Sequence, residues 1–290
     1  MDMSYLLPSR RAVLVGGIAA AVAACSGPAA SASIFRFGLT PVFLTSDLEL
    51  LTKLRRYLTR QLGVEVELVQ RRTYEEITSL LVSGQISAAW ICGYPFVAYR
   101  SQLELVAVPL WHGRPLYQSY LIARHGRGMT KLEDLRGDMH AFSDPNSNSG
   151  YLVTAAMLAE RHLRPREFFR QTLFTYGHRN VVRAVASGLA QSGSVDGYVW
   201  DVMREIEPDL IGQTEIVARS ELLGFPPIAC PKALAGSESV ARLRSALLGM
   251  AEDSDGRDVL ALLKLDGFAE EPDAIFDTIA AKLNVVRSFG

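Results

Sequence analysis

The chain has 290 residues, of which 49% are hydrophobic, and its 30 basic and 31 acidic side chains leave a formal net charge of −1 at pH 7. This composition is typical of one large globular domain or two lobes, and it excludes a disordered chain. The even charge balance argues against nucleic acid as a partner, because the chain has no net positive charge that would attract a polyphosphate backbone. Three cysteines without a CxxC pair exclude a disulfide scaffold and argue against structural zinc.

The first residues have the pattern of an export signal. Arg10 and Arg11 precede an uncharged run at 12–24, which is too short to span a bilayer. The stretch 9–14 resembles a twin-arginine motif, although a plain secretory signal also carries basic residues. We expect residues 1–32 to form a signal peptide and tether, and the mature protein to lie in the periplasm or at the extracytoplasmic membrane surface.

Two cleavage sites compete in this segment. Val22-Ala23-Ala24-Cys25 has the form of a lipobox, in which Cys25 would carry the lipid, whereas Ala30-Ser31-Ala32 is an ordinary small-x-small site. We favour lipidation, because a cysteine directly after small residues at the end of an apolar run is rarely accidental. In that form the protein contacts the membrane only through its lipid anchor.

From residue 34 onward strand-like and helix-like segments alternate, which predicts an α/β fold with mostly parallel sheets. Capping boxes at Ser46 and Thr73 predict two helices, which end at Gly63 and Gly84. The remaining predicted elements are strands at 34–39, 64–69, 87–91, 105–109, 117–123, 139–142 and 195–200, helices at 131–135 and 151–162, a helix from an Asn180 cap to Gly188, and a mainly helical tail from 240.

In such sheets, ligands sit at the carboxyl ends of the strands. The segment Asn-Ser-Asn-Ser-Gly at 146–150 joins a predicted strand to a predicted helix. It places the hydroxyls of Ser147 and Ser149 and several backbone N–H groups at a helix N-terminus, which is an arrangement that binds anions. Without a ligand the same serines serve as N-caps. The preceding Asp144-Pro145 makes the turn longer than a cap requires, which favours the anion site.

Four other polar residues stand next to predicted strands or helices, and each has two interpretations. His178 donates to an oxyanion or lies in a turn. Tyr94 and Tyr117 line a cleft or are half-buried core aromatics. Asp201 receives a cationic or protonated ligand group, or it caps the helix that follows.

Cys92 comes directly after a predicted strand, and three interpretations remain open for it. It is an ordinary small buried residue, half of a disulfide with Cys230, or a soft ligand for a thiophilic species such as arsenic(III).

Enzymatic motifs are absent from the sequence: the five histidines form no HExxH spacing, and there is no GxSxG elbow or phosphate-binding glycine loop. We therefore expect no enzymatic activity, no cofactor and no metal.

Seven stretches of the chain resemble the extracytoplasmic solute-binding proteins of ABC transporters for phosphonate, phosphite and phosphate-like ligands. They cover most of residues 34–230, in the same order. The stretches are FGLTPVFL at 37–44, TYEEITSLLVSGQISAAWICGYPF at 73–96, GRPLYQSYL at 113–121, FSDPNSNSG at 142–150, HRNVVRAVASG at 178–188, VDGYVWD at 195–201 and GFPPIA at 224–229.

The resemblance implies a two-lobed type II periplasmic-binding-protein architecture, with a mostly parallel sheet in each lobe and a two-strand hinge. The first lobe would comprise residues 33–121 and 218–290, and the second would comprise 122–217. The chain would cross between them near Tyr120 and Arg219. The lobes would close over a small oxyanion, which the protein delivers to a transporter permease.

The resemblance also implies ligand contacts. Ser147, Asn148 and Ser149 would receive the anion from one lobe and Tyr94 and Thr40 would approach from the other, with His178 and Asp201 completing the shell. Asn148 stands between the two serines, where it removes a hydroxyl from the predicted anion site.

A subgroup of similar proteins senses arsenite through a cleft cysteine and reports to a membrane histidine kinase. The stretch Trp90-Ile91-Cys92-Gly93 makes this the alternative function, with Cys92 as the ligand.

Overall fold

The computed structural model describes residues 34–40 and 48–289. The predicted signal peptide, the lipidation site at Cys25 and the Ser46 capping box lie outside these residues. Within them, no helix combines the length and the apolar character needed to cross a membrane.

The described chain contains thirteen strands and eleven α-helices, which alternate over its first part, from β1 to β4. The strands are β1 Phe35–Leu39, β2 Val66–Gln70, β3 Ala88–Trp90, β4 Leu103–Leu110, β5 Leu116–Tyr117, β6 Ser119–Arg124, β7 Met139–Phe142, β8 Gln171–Phe174, β9 Ser192–Asp196, β10 Thr214–Arg219, β11 Leu223–Gly224, β12 Ile228–Pro231 and β13 Gly267–Ala269. The α-helices are α1 Leu48–Leu62, α2 Tyr74–Val82, α3 Gly93–Ala98, α4 Val153–Ala159, α5 Pro165–Phe168, α6 His178–Ala186, α7 Gly197–Ile206, α8 Pro208–Ile211, α9 Glu238–Leu248, α10 Ser254–Leu263 and α11 Asp277–Phe289. A π-helical turn, Asn148–Leu152, precedes α4, and short 3-10 turns occupy Leu132–Leu135, Lys232–Leu234, Met250–Glu252 and Asp273–Phe276.

Two sheets organise the fold. The first has the strand order β13-β4-β12-β3-β1-β2, and the second has the order β10-β6-β9-β7-β8. In each sheet a core of three strands is parallel, β2-β1-β3 in the first and β8-β7-β9 in the second, and the strands added beyond them pair antiparallel. The sheets are therefore mixed, and the prediction of mostly parallel sheets is wrong for the strands that pair beyond these three.

The chain passes from the first sheet to the second after β4 and returns after β10, and the two connecting segments run side by side. Leu223 pairs with Tyr117 and Gly224 with Leu116 in the antiparallel ribbon formed by β5 and β11. This ribbon is the two-strand hinge that the resemblance implies.

Local sequence signals account for the bounds of helices α1 and α2. In α1 one face is buried at Leu50, Leu54, Tyr57, Leu58 and Leu62, and the helix ends before Gly63, whose φ of +69° suits glycine. Thr73 forms the predicted capping box with Glu76 at the start of α2.

The predicted strand at 195–200 is wrong beyond Asp196. β9 ends at Asp196, whose carboxylate accepts the N–H groups of Tyr198 and Val199 and so begins α7. This N-cap outweighs the β-propensity of the Tyr-Val-Trp stretch.

Two predicted helices also have boundaries that differ from the observed ones. Asn180 does not cap α6, which begins at His178 after Gly177, and the Asn180 amide donates instead to the Thr175 carbonyl at 3.0 Å. The predicted helix at 151–162 begins earlier, with the turn at Asn148, and α4 ends at Ala159.

The predicted alternative of a disulfide between Cys92 and Cys230 is wrong, since both cysteines are free and buried. In the antiparallel pairing of β12 with β3, Ile228 lies opposite Trp90 and Ala229 opposite Ala89. Continuing that register puts Cys230 beside Ala88, about 13 Å along the strand from Cys92. A disulfide requires the two Cα atoms to lie within about 7 Å.

Candidate functional site

A group of buried polar side chains lies where the elements of the two sheets meet. Each of its members is at most 1% exposed, although polar side chains are usually found at the surface. The members are Tyr74, Cys92, Tyr117, Ser147, Asn148, Ser149, His178 and Asp196; we call them the interlobe cluster.

The turn that follows β7 builds one side of this cluster. Ser147 is the N-cap of the π-helical turn, and its hydroxyl accepts the Gly150 N–H at 3.0 Å. A Cβ on Gly150 would lie only 1.9 Å from Ser143 Oγ, so the turn can close tightly only with glycine here. Asp144 fixes the start of the turn by accepting the N–H of Asn146 at 2.8 Å. The predicted anion cradle is therefore a rigid turn that enters a helix.

Hydrogen bonds join this turn to helix α2, to the start of α3 and to strand β5. The Tyr74 N–H donates to Asp144 Oδ2 at 3.2 Å. The Asn148 N–H donates to Cys92 Sγ at 3.1 Å, and the Asn148 side-chain amide donates to the Tyr117 hydroxyl at 2.8 Å. Helix α2, the start of α3 and strand β5 thus all donate to or accept from this turn.

His178 lies at the first position of α6 and is held in one tautomer. Its Nδ1 accepts the backbone N–H of Asp196 at 3.1 Å, so the neutral ring carries its proton on Nε2, which lies 3.2 Å from the Tyr74 hydroxyl. Burial lowers the pKa of His178 to about 3, because the charged ring would lose its hydration. His178 is therefore a neutral group that positions Tyr74.

Asp196 is the acidic group of the cluster. Ser149 Oγ donates to its Oδ2 at 3.4 Å, and the N–H groups at the start of α7 donate to its Oδ1. Burial raises the pKa of Asp196 to about 7, since within the described chain no cation forms an ion pair with it to offset the loss of hydration. Sequence reasoning missed Asp196 because it was assigned to a strand; the signal was an Asp-Gly pair before an amphipathic stretch.

Cys92 is the N-cap residue of α3, and its sulfur faces the Asn148 N–H. Burial raises the pKa of the Cys92 thiol to about 12, so the group stays protonated near neutral pH. It is a free, buried thiol in contact with the predicted cradle, as the first interpretation of this residue predicts; its role as a soft ligand stays a prediction.

The other predicted site residues lie apart from the cluster's hydrogen bonds. Thr40 donates its hydroxyl to the Trp90 carbonyl at 3.1 Å. Tyr94 is half-buried and lines a cavity of about 280 Å³ together with Asn146 and Arg287. Asp201 does not cap a helix and does not join the cluster: it lies within α7, where it accepts the Tyr120 hydroxyl at 2.8 Å and contacts Arg204 at 3.2 Å.

The cluster offers hydrogen bonds but no positive charge of its own. Among the described residues, Asp144 and Asp196 make no ion pair, and no group of three or more His, Cys, Asp or Glu side chains could hold a metal ion. Two buried polar atoms in this region have no hydrogen-bond partner within the described chain, Ser143 Oγ and Asn148 Oδ1. Such atoms cost about 1–3 kcal/mol each, so they indicate a place for a small polar ligand.

Comparisons with known proteins point to one family. A family model for the periplasmic substrate-binding protein of phosphonate ABC transporters matches residues 37–274. The phosphate-import protein PhnD of Mycolicibacterium smegmatis is 27% identical over 204 residues, which make up 66% of this chain and 63% of that relative. The match therefore spans less than two thirds of the relative's own length.

Two solved structures share the fold. A binding-protein component of an ABC phosphonate transporter from Pseudomonas aeruginosa superposes with a TM-score of 0.80 at 21% identity, covering 88% of this chain and 87% of that one. PhnD1 from Prochlorococcus marinus, solved with methylphosphonate, gives a TM-score of 0.79 at 16% identity, covering 88% and 98%. These matches confirm the predicted type II periplasmic-binding-protein architecture. Because the family model also matches most of its length, the chain belongs to the family of periplasmic substrate-binding proteins of phosphonate ABC transporters.

Proposed function

We propose that this protein is an extracytoplasmic receptor that captures a small oxyanion of the phosphonate, phosphite or phosphate class and delivers it to the permease of an ABC transporter. Its role is binding without chemical turnover. The family supports the transport role, and the names of its relatives, a phosphate importer and a methylphosphonate complex, support the ligand class.

The observation that carries the proposal is the set of hydrogen bonds from Asn148 to Cys92 and Tyr117. They join the turn at 147–149 to the start of α3 and to strand β5 of the ribbon, at the helix N-terminus where the sequence predicts an anion. A ligand held there contacts both lobes only when they are closed. It therefore shifts the population toward the closed state.

We propose that the two lobes are the predicted ones, residues 33–121 with 218–290, and residues 122–217. The antiparallel ribbon of β5 and β11 provides the axis about which they open. In this arrangement Ser147, Asn148 and Ser149 receive the ligand from the second lobe. Tyr117 lies on the hinge, and Thr40 and Tyr94 stand on the first lobe.

The test is ligand-dependent stability of the purified protein. Phosphate, phosphite, methylphosphonate and sulfate are titrated while the melting temperature is recorded, since a ligand at about 100 times its dissociation constant adds about 2.7 kcal/mol of stability. We expect at least one phosphorus oxyanion to raise the melting temperature. If none of them does, the proposed function is wrong.

A matched pair of variants localises the binding. Ser149→Ala removes the hydroxyl that donates to Asp196, and we expect its dissociation constant for the best anion to rise about tenfold, for the loss of a hydrogen bond in a buried site. Ser187→Ala removes a hydroxyl that bonds only the Ala184 carbonyl at the end of α6 and should leave the dissociation constant unchanged. Equal effects of the two variants would place the anion elsewhere.

A second candidate function is an oxyanion sensor that binds arsenite through Cys92 and signals to a membrane histidine kinase. One observation favours it: the Cys92 thiol contacts the predicted cradle directly, through the Asn148 N–H. Arsenite should then raise the melting temperature of the wild-type protein and of Cys230→Ser but not that of Cys92→Ser. Stabilisation of all three proteins, or of none, would eliminate this candidate.

We also propose that the protein is exported and carried at the membrane by a lipid on Cys25. The lipobox at 22–25 supports this. Expressed in a bacterial host, the wild-type protein should fractionate with membranes, whereas Cys25→Ser should be released into the periplasmic extract. If the wild-type protein is released into the periplasmic extract as Cys25→Ser is, cleavage after Ala32 is favoured instead.

A further inference from the structure

The amide carbonyl of Asn148 is the most unusual polar atom of the interlobe cluster. The residue is fully buried, and its other groups are already engaged: the backbone N–H donates to Cys92 Sγ and the side-chain Nδ2 donates to the Tyr117 hydroxyl. Oδ1 accepts no hydrogen bond within the described chain. An amide oxygen can only accept, so whatever satisfies it must bring a proton.

The surroundings of Asn148 supply further acceptors. Asp196 and Asp144 are buried carboxyl groups without an ion pair among the described residues. Burial raises the pKa of both groups, and that of Asp196 reaches about 7. A ligand without a proton would meet oxygen acceptors that repel it, with no cation in the cluster to compensate.

Several of the elements packed around the turn carry titratable groups. They are Tyr74 from α2, Cys92 before α3, Tyr117 from β5, His178 from α6, Asp144 before the turn, Asp196 at the end of β9, and Arg287 from α11, which acts on Tyr94 and lines its cavity. Tyr74, Tyr117 and Cys92 have pKa values raised by burial and stay protonated, and His178 stays neutral. Asp196 is therefore the member of the cluster whose charge changes near neutral pH.

We propose that the cleft takes its oxyanion in a proton-bearing form, and that Asn148 is the specificity-determining residue that accepts the ligand's acidic O–H at Oδ1. This inference rests on the proposed function and narrows its ligand class. Hydrogen phosphate, the monoanion of phosphite and the monoanion of a phosphonate carry such a proton. Sulfate and a fully ionised phosphonate do not.

Methylphosphonate and phosphate form the sharpest pair of probes. In mildly acidic solution both are chiefly monoanions, and both carry an acidic O–H. In mildly alkaline solution both are dianions, but phosphate keeps one O–H while methylphosphonate has none. The two ligands therefore carry the same charge at each pH, but only methylphosphonate loses its last proton as the pH rises.

The experiment measures the dissociation constants of both ligands by calorimetry at about pH 6 and about pH 9. The ratio of the methylphosphonate constant to the phosphate constant should rise at least about tenfold between the two pH values, because an unpaired buried acceptor costs about 1–3 kcal/mol. Ionisation of Asp196 affects both ligands at the same pH and largely cancels in this ratio. The difference in fit between a methyl group and a hydroxyl is the same at both pH values.

Two variants assign the effect to Asn148. Asn148→Thr replaces the amide by a hydroxyl that can donate as well as accept, so the rise in the ratio should fall to about threefold or less. Asn146→Thr, in the same turn, changes an amide that is not part of the cluster and should keep the full rise.

The outcomes separate this inference from the proposed function. A ratio that does not change with pH in the wild-type protein overturns the inference and leaves the proposed function intact, as does a rise that persists in Asn148→Thr. If neither ligand binds at either pH, the inference is overturned, and the proposed function is wrong as well only if phosphite also fails to bind. The wild-type measurement alone decides the question if a variant does not fold.

Discussion

The hydroxyl of Tyr74 lies 3.2 Å from Nε2 of His178, and both side chains are buried between the two halves of the molecule. Tyr74 begins α2 on the side of the first sheet, and His178 begins α6 on the side of the second. Because Asp196 donates its backbone N–H to Nδ1, the Nε2 proton of His178 can point only at Tyr74. This contact therefore joins α2 to α6 without any charge.

The first prediction concerns this contact. Tyr74→Phe keeps the ring and removes the acceptor, which leaves the His178 Nε2–H buried without a partner. We expect the free energy of unfolding to fall by about 1–3 kcal/mol. Urea denaturation measures it. Tyr99→Phe, at a tyrosine that is 41% exposed, is the control and should have no measurable effect. A loss of similar size in both variants would mean that the hydroxyl of Tyr74 has no special role.

The second prediction is loss of stability in acid. Burial lowers the pKa of both His140 and His178 to about 3. The unfolded chain binds these protons more readily than the folded chain, so the stabilisation is complete above about pH 6.5 and is lost as the pH falls toward about 3. Urea midpoints recorded across this range should fall with pH, and less steeply in His178→Asn. His125→Asn, at an exposed histidine, should follow the wild-type curve. An unchanged slope in His178→Asn would contradict the assignment.

The third prediction has the opposite sign and concerns Asp196. Burial raises the pKa of this carboxyl to about 7, so the folded state binds its proton more tightly than the unfolded state. Its contribution to stability therefore declines as the pH rises from about 4 to about 7. Relative to the wild type, Asp196→Asn should gain stability progressively over this interval. Asp209→Asn, at an exposed aspartate of α8, is the control and should keep a constant difference from the wild type. A constant difference between Asp196→Asn and the wild type would show that Asp196 is ionised throughout.

The sequence predicted the elements whose signals are local. The strand Met139–Phe142 has the predicted bounds, and the Thr73 capping box and the buried face of α1 follow from spacing alone. Asp196 was misplaced because a Val-Asp-Gly-Tyr-Val-Trp stretch has high β-propensity, and only its position at the end of β9 lets its carboxylate begin a helix.

The candidate site was predictable in part for the same reason. The turn at 147–149 carries its own signal of small polar residues before a helix. Tyr74 carries none, because its partner His178 is 104 residues away in the chain and its burial depends on the packing of the two lobes. Asp201 was predicted to be a cleft residue because the preceding Trp200 was predicted to end a strand. In the observed helix its side chain contacts Tyr120 and Arg204 instead.

The last prediction concerns the tight turn that supports the cluster. A Cβ on Gly150 would lie 1.9 Å from Ser143 Oγ and 2.7 Å from Ser143 Cβ, and neither atom can move freely because Ser143 directly follows β7 and its N–H donates to the Gly150 carbonyl. Gly150→Ala should therefore lower the free energy of unfolding by about 1–3 kcal/mol or more. Gly236→Ala, where no atom lies within 4 Å of the added Cβ, is the control and should be close to neutral.

A second substitution tests the cause of that loss. Ser143→Ala removes the oxygen of the closest contact, so Gly150→Ala should cost less in the Ser143→Ala background than in the wild type, by about 0.5–3 kcal/mol of coupling. Denaturation of the four proteins in this cycle measures the coupling directly. Because Gly150 and Ser143 lie in the turn that presents Ser147 and Asn148, Gly150→Ala should also weaken anion binding, and Ser143→Ala should partly restore it. Additive effects on stability would mean that Gly150 is required by the backbone of the turn rather than by its contact with Ser143.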